Sequence, residues 1–232
     1  MPLVLHKNIE NGQIGLWKIS EEVEELMQLA RLNSEDLITF SGISALHRQK
    51  EWLATRALIN NLNGKPVQIK YFNDGKPYPE NCNFNLSISH TREFVAVLIH
   101  QNLIPGIDIE LESRQVGKVA SRFLSPDEFD ICNEHEGISN RKLLIHWCAK
   151  EAVFKMVPFS NIEFSSDIQI VLNDVSNNSG SFPGIFKNSS VQIPVNLDYL
   201  ETNGVLMVWG CMKRSIQITE TTENSFNTNQ DQ

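Results

Sequence analysis

The sequence predicts an α+β fold made of two similar halves, about residues 1–104 and 105–220. Three observations carry this expectation. The chain has 232 residues, 41% of them hydrophobic and 21% charged, enough to bury a substantial core in one large domain or two small ones. Strand-like and helix-like segments follow each other in a similar order twice along the chain. Finally, "WLATRA" (Trp52 to Ala57) and "WCAKEA" (Trp147 to Ala152) share Trp, Ala and Ala at the same spacings, on the corresponding helix of each half, where a duplicated unit places such a match.

In the first half, "QIGLWKI" reads as a strand. Ser20 is then placed as the N-cap of a helix of the type "SEEVEELMQLARL", with acids in its first turn and an apolar stripe through Val23, Leu26, Met27 and Ala30. A second helix runs roughly from Ser44 to Leu62 and is ended by "NG". The runs "VQIKYF", "NFNLSIS" and "EFVAVLIH" are strand-like, the first two separated by the turn-rich "NDGKPYPEN". The second half opens on the strand "PGIDIELE", passes through helices near Ser125–Glu136 and Ser139–Val157, and closes with strands "DIQIVL", "SVQIPV" and "GVLMVWG". "NDVSNNSGS" reads as a long hairpin loop and the tail from about residue 221, within "TETTENSFNTNQDQ", as disordered, since neither has the apolar content to fold.

The formal charge of -8 argues against a general binder of nucleic acid or anionic membrane, which relies on Lys and Arg to neutralise phosphates. The cysteines Cys82, Cys132, Cys148 and Cys211 are scattered, with no CxxC and no partnering His, so they signal neither zinc nor a disulfide framework. They read as reduced, mostly buried cysteines of a cytoplasmic protein. The apolar run of "MPLVLHKNIENG" is too short for a signal peptide, and "FVAVLI" is strand-sized rather than membrane-spanning.

As a strand, "PGIDIELE" turns Asp108, Glu110 and Glu112 to one face and Ile107, Ile109 and Leu111 to the other. That pattern fits a strand with one solvated face. It also fits a strand whose Asp108 and Glu110 hold a hard cation, a reading that needs a third ligand from elsewhere. In "WCAKEAVFK", Trp147, Glu151 and Lys155 lie four apart and share one helix face. Alone, Glu151 and Lys155 are a helix-surface ion pair of about 0.2–0.5 kcal/mol. But the helix is apolar nearly all round and is expected to be largely buried, where an acid and a base need partners or a ligand. Glu151 is the candidate third ligand. Arg56 stands in the first matched helix where Glu151 stands in the second, so a cleft between the halves is expected to be acidic on the second side, with Arg56 structural between the halves.

Together, "GIDIE" and "WCAKEAVFK" resemble the acidic strand and the WxxKEAxxK helix of the 4′-phosphopantetheinyl transferases of the surfactin-synthetase-activating type: Gly106, Asp108, Glu110, then Trp147, Lys150, Glu151, Ala152 and Lys155. Further matches run in order. "HRQKEWL" is similar to the family's Arg segment, "DGKP" (Asp74 to Pro77) to its GKP turn, "FNLSISH" to its strand ending in Ser-His, and "RFLSPDE" to its Phe-rich segment closing on Glu. The resemblance covers roughly residues 12–215. It implies a pseudo-dimer of two α+β subdomains, each a small, mostly antiparallel sheet packed on a long helix, with the active site in the cleft between them. The implied activity is transfer of 4′-phosphopantetheine from coenzyme A to a serine of an apo acyl or peptidyl carrier protein, releasing adenosine 3′,5′-bisphosphate. A monomer is expected, because two halves in one chain already form the cleft.

The resemblance also implies site roles. Asp108, Glu110 and Glu151 hold Mg²⁺, with Mn²⁺ as an alternative, and a diphosphate substrate is suited to such carboxylates. Lys155 meets the diphosphate as charge builds on the leaving group. Ser89 and His90 end a strand that contacts coenzyme A phosphate, Arg48 reaches the ribose 3′-phosphate, and Lys76 lies along the adenine. The base is Glu151 or a water on the metal; a metal-bound carboxylate beside Lys155 is expected to be a weak base. Glu128 is read as structural, since "SPDE" is a capping box with Ser125 at the N-cap. The lysines that some members place upstream of the Arg segment have no counterpart in "LNSEDL", leaving Arg31 or Lys50 as substitutes. The alternative activity is another Mg²⁺-dependent phosphohydrolase or nucleotidyl transferase using a carboxylate triad.

Overall fold

The computed structural model describes residues 2–134, 137–172 and 175–213. The chain runs β1 (Leu3–Ile9), β2 (Gly12–Lys18), α1 (Val23–Ala30), α2 (Ser34–Ser41), α3 (Leu46–Asn63), β3 (Ile69–Tyr71), β4 (Pro77–Pro79), β5 (Asn85–His90), β6 (Phe94–His100) and β7 (Ile104–Leu111). It continues through a 3-10 turn (Gly117–Arg122), α4 (Pro126–Cys132), a two-residue ladder of β8 (Asn133–Glu134) and β9 (Gly137–Ile138), α5 (Asn140–Met156), α6 (Phe164–Asp167), β10 (Ile168–Ile170), β11 (Ser179–Lys187), β12 (Gln192–Thr202) and β13 (Val205–Met212). The fold is α+β: one antiparallel sheet in the order β1-β2-β6-β5 and another in the order β10-β11-β12-β13-β7.

Strand alternation explains how the layers stack. On β6, Val95, Val97 and Ile99 turn to α3, while Phe94, Ala96 and Leu98 turn to the second sheet and meet Ile107, Ile109, Val205, Met207 and Trp209. The opposite face of β13, through Leu206 and Val208, packs on α5. "FVAVLIH" is apolar without alternation because both its faces are covered. The layers are therefore α3, first sheet, second sheet and α5. The edges of the sheets also meet. Ser87 and Ser89 of β5 accept hydrogen bonds on their Oγ atoms from the Ile107 and Ile109 amides of β7, at 3.1 and 3.2 Å. These amides lie on the side of β7 away from β13, where an edge strand otherwise leaves donors unpaired.

Helix α5 approaches β7 so closely that a Cβ on Gly106 would lie 2.0 Å from the Ala152 carbonyl oxygen and 2.7 Å from Met156 Cγ. Only glycine allows this contact. At the end of α3, Gly64 takes the left-handed conformation (φ 74°) that "NG" predicts.

Several expectations are corrected. Helix α1 is capped by Glu22 in a capping box with Glu25, not by Ser20. Glu21 Oε2 takes the Ser20 amide at 3.0 Å and the Trp17 indole at 3.4 Å, which holds that stretch outside the helix. Strand β1 and helix α2 were not foreseen, and α4 ends at Cys132. In "NDVSNNSGS", residues 173–174 lie outside the described residues, and Ser179 to Ser181 belong to β11 and pair with β12. The tail from about residue 221 also lies outside them. Arg56 does not stand between the halves. It is buried between α3 and α2, stacked over Trp52 at 3.1 Å and paired with Asp36 of α2 at 3.2 Å.

Gly106→Ala is expected to cost about 3 kcal/mol or more, because backbone rather than a flexible side-chain tip must move. Gly117→Ala, with nothing nearer than 3.8 Å to the new Cβ, is expected to be nearly neutral. Urea melts of both variants check this, and equal midpoints would show that the Gly106 contact relaxes freely.

Candidate active site

Asp108 is 6% exposed. Its Oδ1 accepts from Lys155 Nζ at 2.8 Å and from Ser89 Oγ at 2.7 Å, and Lys155 Nζ also donates to the Ile107 carbonyl at 2.8 Å. Asp108 Oδ2 is buried and receives no N–H or O–H donor, the Cys148 thiol being the remaining polar group that interacts with this carboxylate. The Cys148 thiol nearby is pushed well up by burial and by the Asp108 charge, so it stays protonated. Two residues along β7, Glu110 Oε1 accepts from the Trp147 indole at 3.2 Å and is ion-paired with Arg114. Arg114 also lies 5.2 Å from the Trp147 ring centre.

Helix α5 runs antiparallel to β7, so Trp147 meets Glu110 and Lys155 meets Asp108, with Glu151 one turn from each. Burial and the neighbouring Asp108 push the Glu151 carboxyl above its ordinary range, against the pull of Lys155 and Arg114. The depression expected from the sequence belongs to Glu151 with a cation bound; without one, burial and the Asp108 charge make Glu151 hold a proton more tightly than a solvated glutamate. Glu112, read as a third acid on the same face, lies exposed beyond the end of β7.

On the first-sheet side, Ser89 ties β5 to Asp108, and His90 is the next residue. Partial burial, then Arg48 and Lys155, lower the His90 pKa, while Glu51 and Asp108 oppose them. His90 therefore lies within electrostatic reach of the β7 and α5 groups. Arg48 donates to Glu51 Oε2 at 2.8 Å, and His90 Nδ1 is 3.7 Å from the same oxygen. These three residues line a cleft of about 460 Å³ with Trp52, Tyr71 and Pro77. Lys76 of the GKP turn donates to the Val157 carbonyl at the C-terminal end of α5, and burial lowers its pKa. Neither proposed substitute cation lines the cleft: Lys50 pairs with Glu22 at 3.0 Å, and Arg31 borders a separate groove beside Trp17 and Asn60. A further cleft of about 420 Å³, by Glu10, His100, Asp198 and Trp209, contains none of the site residues read from the sequence.

Sequence reasoning missed Glu51 and Arg114. Glu51 was within reach of inference, three residues after Arg48 on a helix. Arg114 follows the end of β7 in a turn, where no periodicity places a side chain.

The carboxylates are suited to a hard divalent cation. Asp108, Glu110 and Glu151 are oxygen donors on two adjacent elements, Asp108 Oδ2 receives no N–H or O–H donor, and the like charge of Asp108 raises Glu151, a repulsion that a cation removes. Among the described residues no three His, Cys, Asp or Glu side chains are gathered as a ligand set. Lys155 and Arg114 neutralise two of the carboxylates instead.

Lys150 points the other way. Fully buried, it donates to Glu128 Oε2 at 2.7 Å and to the carbonyls of Phe164 and Ile168 at 2.9 and 2.6 Å. Glu128 forms the capping box with Ser125 and accepts from the Ile170 amide at 2.8 Å. Glu128 and Lys150 thus lock α4, α5 and β10 together. Lys150→Ala is expected to destabilise by about 3–5 kcal/mol, since it strands a buried carboxylate. Lys155→Ala, at a side chain 26% exposed, is expected to cost far less. Thermal melts distinguish the two, and equal losses would contradict the division between a structural and a site lysine.

Among the described residues no helix is long and apolar enough to cross a membrane. No curated protein matches the chain significantly. Residues 105–200, from the start of the acidic strand through α5 into β12, match the family model described as the 4′-phosphopantetheinyl transferase superfamily, and this part of the chain is similar to that superfamily.

Proposed function

We propose that the protein transfers the 4′-phosphopantetheine group of coenzyme A to a serine of an apo acyl or peptidyl carrier protein, releasing adenosine 3′,5′-bisphosphate. The observation that carries this reading is the grouping of Asp108, Glu151 and Lys155 across β7 and α5, inside the segment that matches the superfamily. Residues 1–104 are read as a nucleotide-binding half and 105–220 as a catalytic half of a pseudo-dimer of the surfactin-synthetase-activating type, active as a monomer.

Asp108, Glu110 and Glu151 would hold Mg²⁺ or Mn²⁺, which neutralises diphosphate oxygens. Arg48 and His90 in the cleft offer cationic and donor groups to the 3′-phosphate and the diphosphate, Ser89 fixes the strand beneath them, and Lys76 closes the turn beside the nucleotide. The carrier serine oxygen attacks the phosphorus next to the pantetheine arm. The bond from that phosphorus to the bridging oxygen breaks, and the bridging oxygen leaves with the nucleotide. Glu151, one helical turn from Lys155, takes the serine proton, directly or through a water. Lys155, freed from Asp108, meets the negative charge that develops on the bridging oxygen.

Mass spectrometry of a panel of apo carrier proteins incubated with the protein, coenzyme A and Mg²⁺ tests this. At least one carrier is expected to gain a phosphopantetheinyl mass on its serine, and Glu151→Gln to slow the gain by about a hundredfold with the fold intact. Nucleotide hydrolysis with no modified carrier would favour the phosphohydrolase reading.

A further inference from the structure

We propose that Lys155 and Arg114 are internal counter-ions of the carboxylate site, held on Asp108 and Glu110 until the coenzyme A diphosphate draws them away, so that a divalent cation binds tightly only after the diphosphate has bound. The proposal rests on the reading of the site as a phosphopantetheinyl transferase centre and adds the order in which its charges change partners.

Lys155 Nζ sits at 2.8 Å from both Asp108 Oδ1 and the Ile107 carbonyl oxygen and so already supplies the positive charge that a cation would bring to this carboxylate. Arg114 covers Glu110 in the same way, steadied over the Trp147 ring. Two of the three candidate ligands are therefore already neutralised. Buried Asp108 Oδ2 receives no N–H or O–H donor, so the lysine satisfies only part of the acid. A cation arriving alone must displace an ammonium from a carboxylate that is 6% exposed and offers that ammonium no stronger acceptor in exchange. A diphosphate changes this balance. It offers Lys155 and Arg114 an acceptor of higher charge, and both side chains can swing, being 26% and 42% exposed. Once they move, Asp108, Glu110 and Glu151 are left as an uncompensated acidic group, which favours a divalent ion. The diphosphate and the cation then strengthen each other's binding by the same factor, as linkage requires.

Calorimetric titration of Mn²⁺ tests this on the wild-type protein, Lys155→Met and Arg114→Gln, each with and without coenzyme A, with thermal melts confirming that the variants fold. Wild type is expected to bind Mn²⁺ weakly alone and at least about tenfold more tightly with coenzyme A. Lys155→Met is expected to bind Mn²⁺ alone about tenfold more tightly than wild type, because the competing ammonium is gone, with a correspondingly smaller gain from coenzyme A. Arg114→Gln is expected to shift the same way by less, as the more exposed pair. Unchanged or weaker Mn²⁺ binding in folded Lys155→Met without coenzyme A would overturn the proposal. If wild type still modifies a carrier in that case, only the counter-ion exchange falls. If wild type neither binds coenzyme A nor modifies any carrier, the transferase reading falls and takes this proposal with it.

Discussion

The contact between Gly106 and the Ala152 carbonyl sets the distance between α5 and β7, and the candidate site depends on that distance. A helix one methyl group farther out would carry Glu151 and Lys155 away from Asp108. The glycine of "GIDIE" thus sets how closely the backbone of the "KEA" turn approaches the acidic strand. Because α5 is pinned by its backbone, its turns index the strand: Trp147 to Glu110, Glu151 between, Lys155 to Asp108.

A second constraint acts on the opposite edge of β7. Its outward amides are satisfied by Ser87 and Ser89, so the two sheets are joined by side chains rather than by a backbone ladder. Ser89 also donates to Asp108, which makes the seam between the sheets part of the site. His90 follows directly and faces the cleft that holds Arg48 and Glu51. Polar groups buried at such a seam are costly unless paired. Here the pairs are divided: Lys150 and Glu128 are saturated with partners and serve structure, whereas Asp108 keeps an oxygen that receives no N–H or O–H donor and Glu151 a raised proton affinity.

The α+β class and the acidic strand and helix of the site were legible in the sequence because each has a strong local signature. Acids Asp108 and Glu110 alternating with Ile107, Ile109 and Leu111, and a four-residue repeat of Trp147, Glu151 and Lys155, define faces without knowledge of the partner element. The capping box at Ser125 was legible for the same reason. Features fixed by tertiary contact were not. Strand β11 was hidden by Pro183 and Gly184, yet its proline is tolerated: the Pro183 carbonyl bonds the Val171 amide beyond the end of β10, so the absent N–H faces a side with no ladder partner. Ser20 matched a capping pattern, but Glu21 was already engaged by Trp17. Arg56 looked like a group bridging the halves because its counterpart in the second helix is Glu151; short helix α2, unforeseen, supplies Asp36 and keeps it local. Arg114 lies in a turn and becomes meaningful only when Trp147 and Glu110 are seen beside it.

The most direct measurement is anomalous diffraction at the manganese edge from crystals grown with coenzyme A and Mn²⁺. The expected result is a manganese peak bonded to oxygens of Asp108, Glu110 and Glu151, with the coenzyme A diphosphate beside that ion and with Lys155 moved from Asp108 to the phosphate. Coenzyme A bound elsewhere, such as the cleft by Glu10, His100 and Trp209, with Lys155 still paired to Asp108, would contradict the site and the chemistry assigned to it.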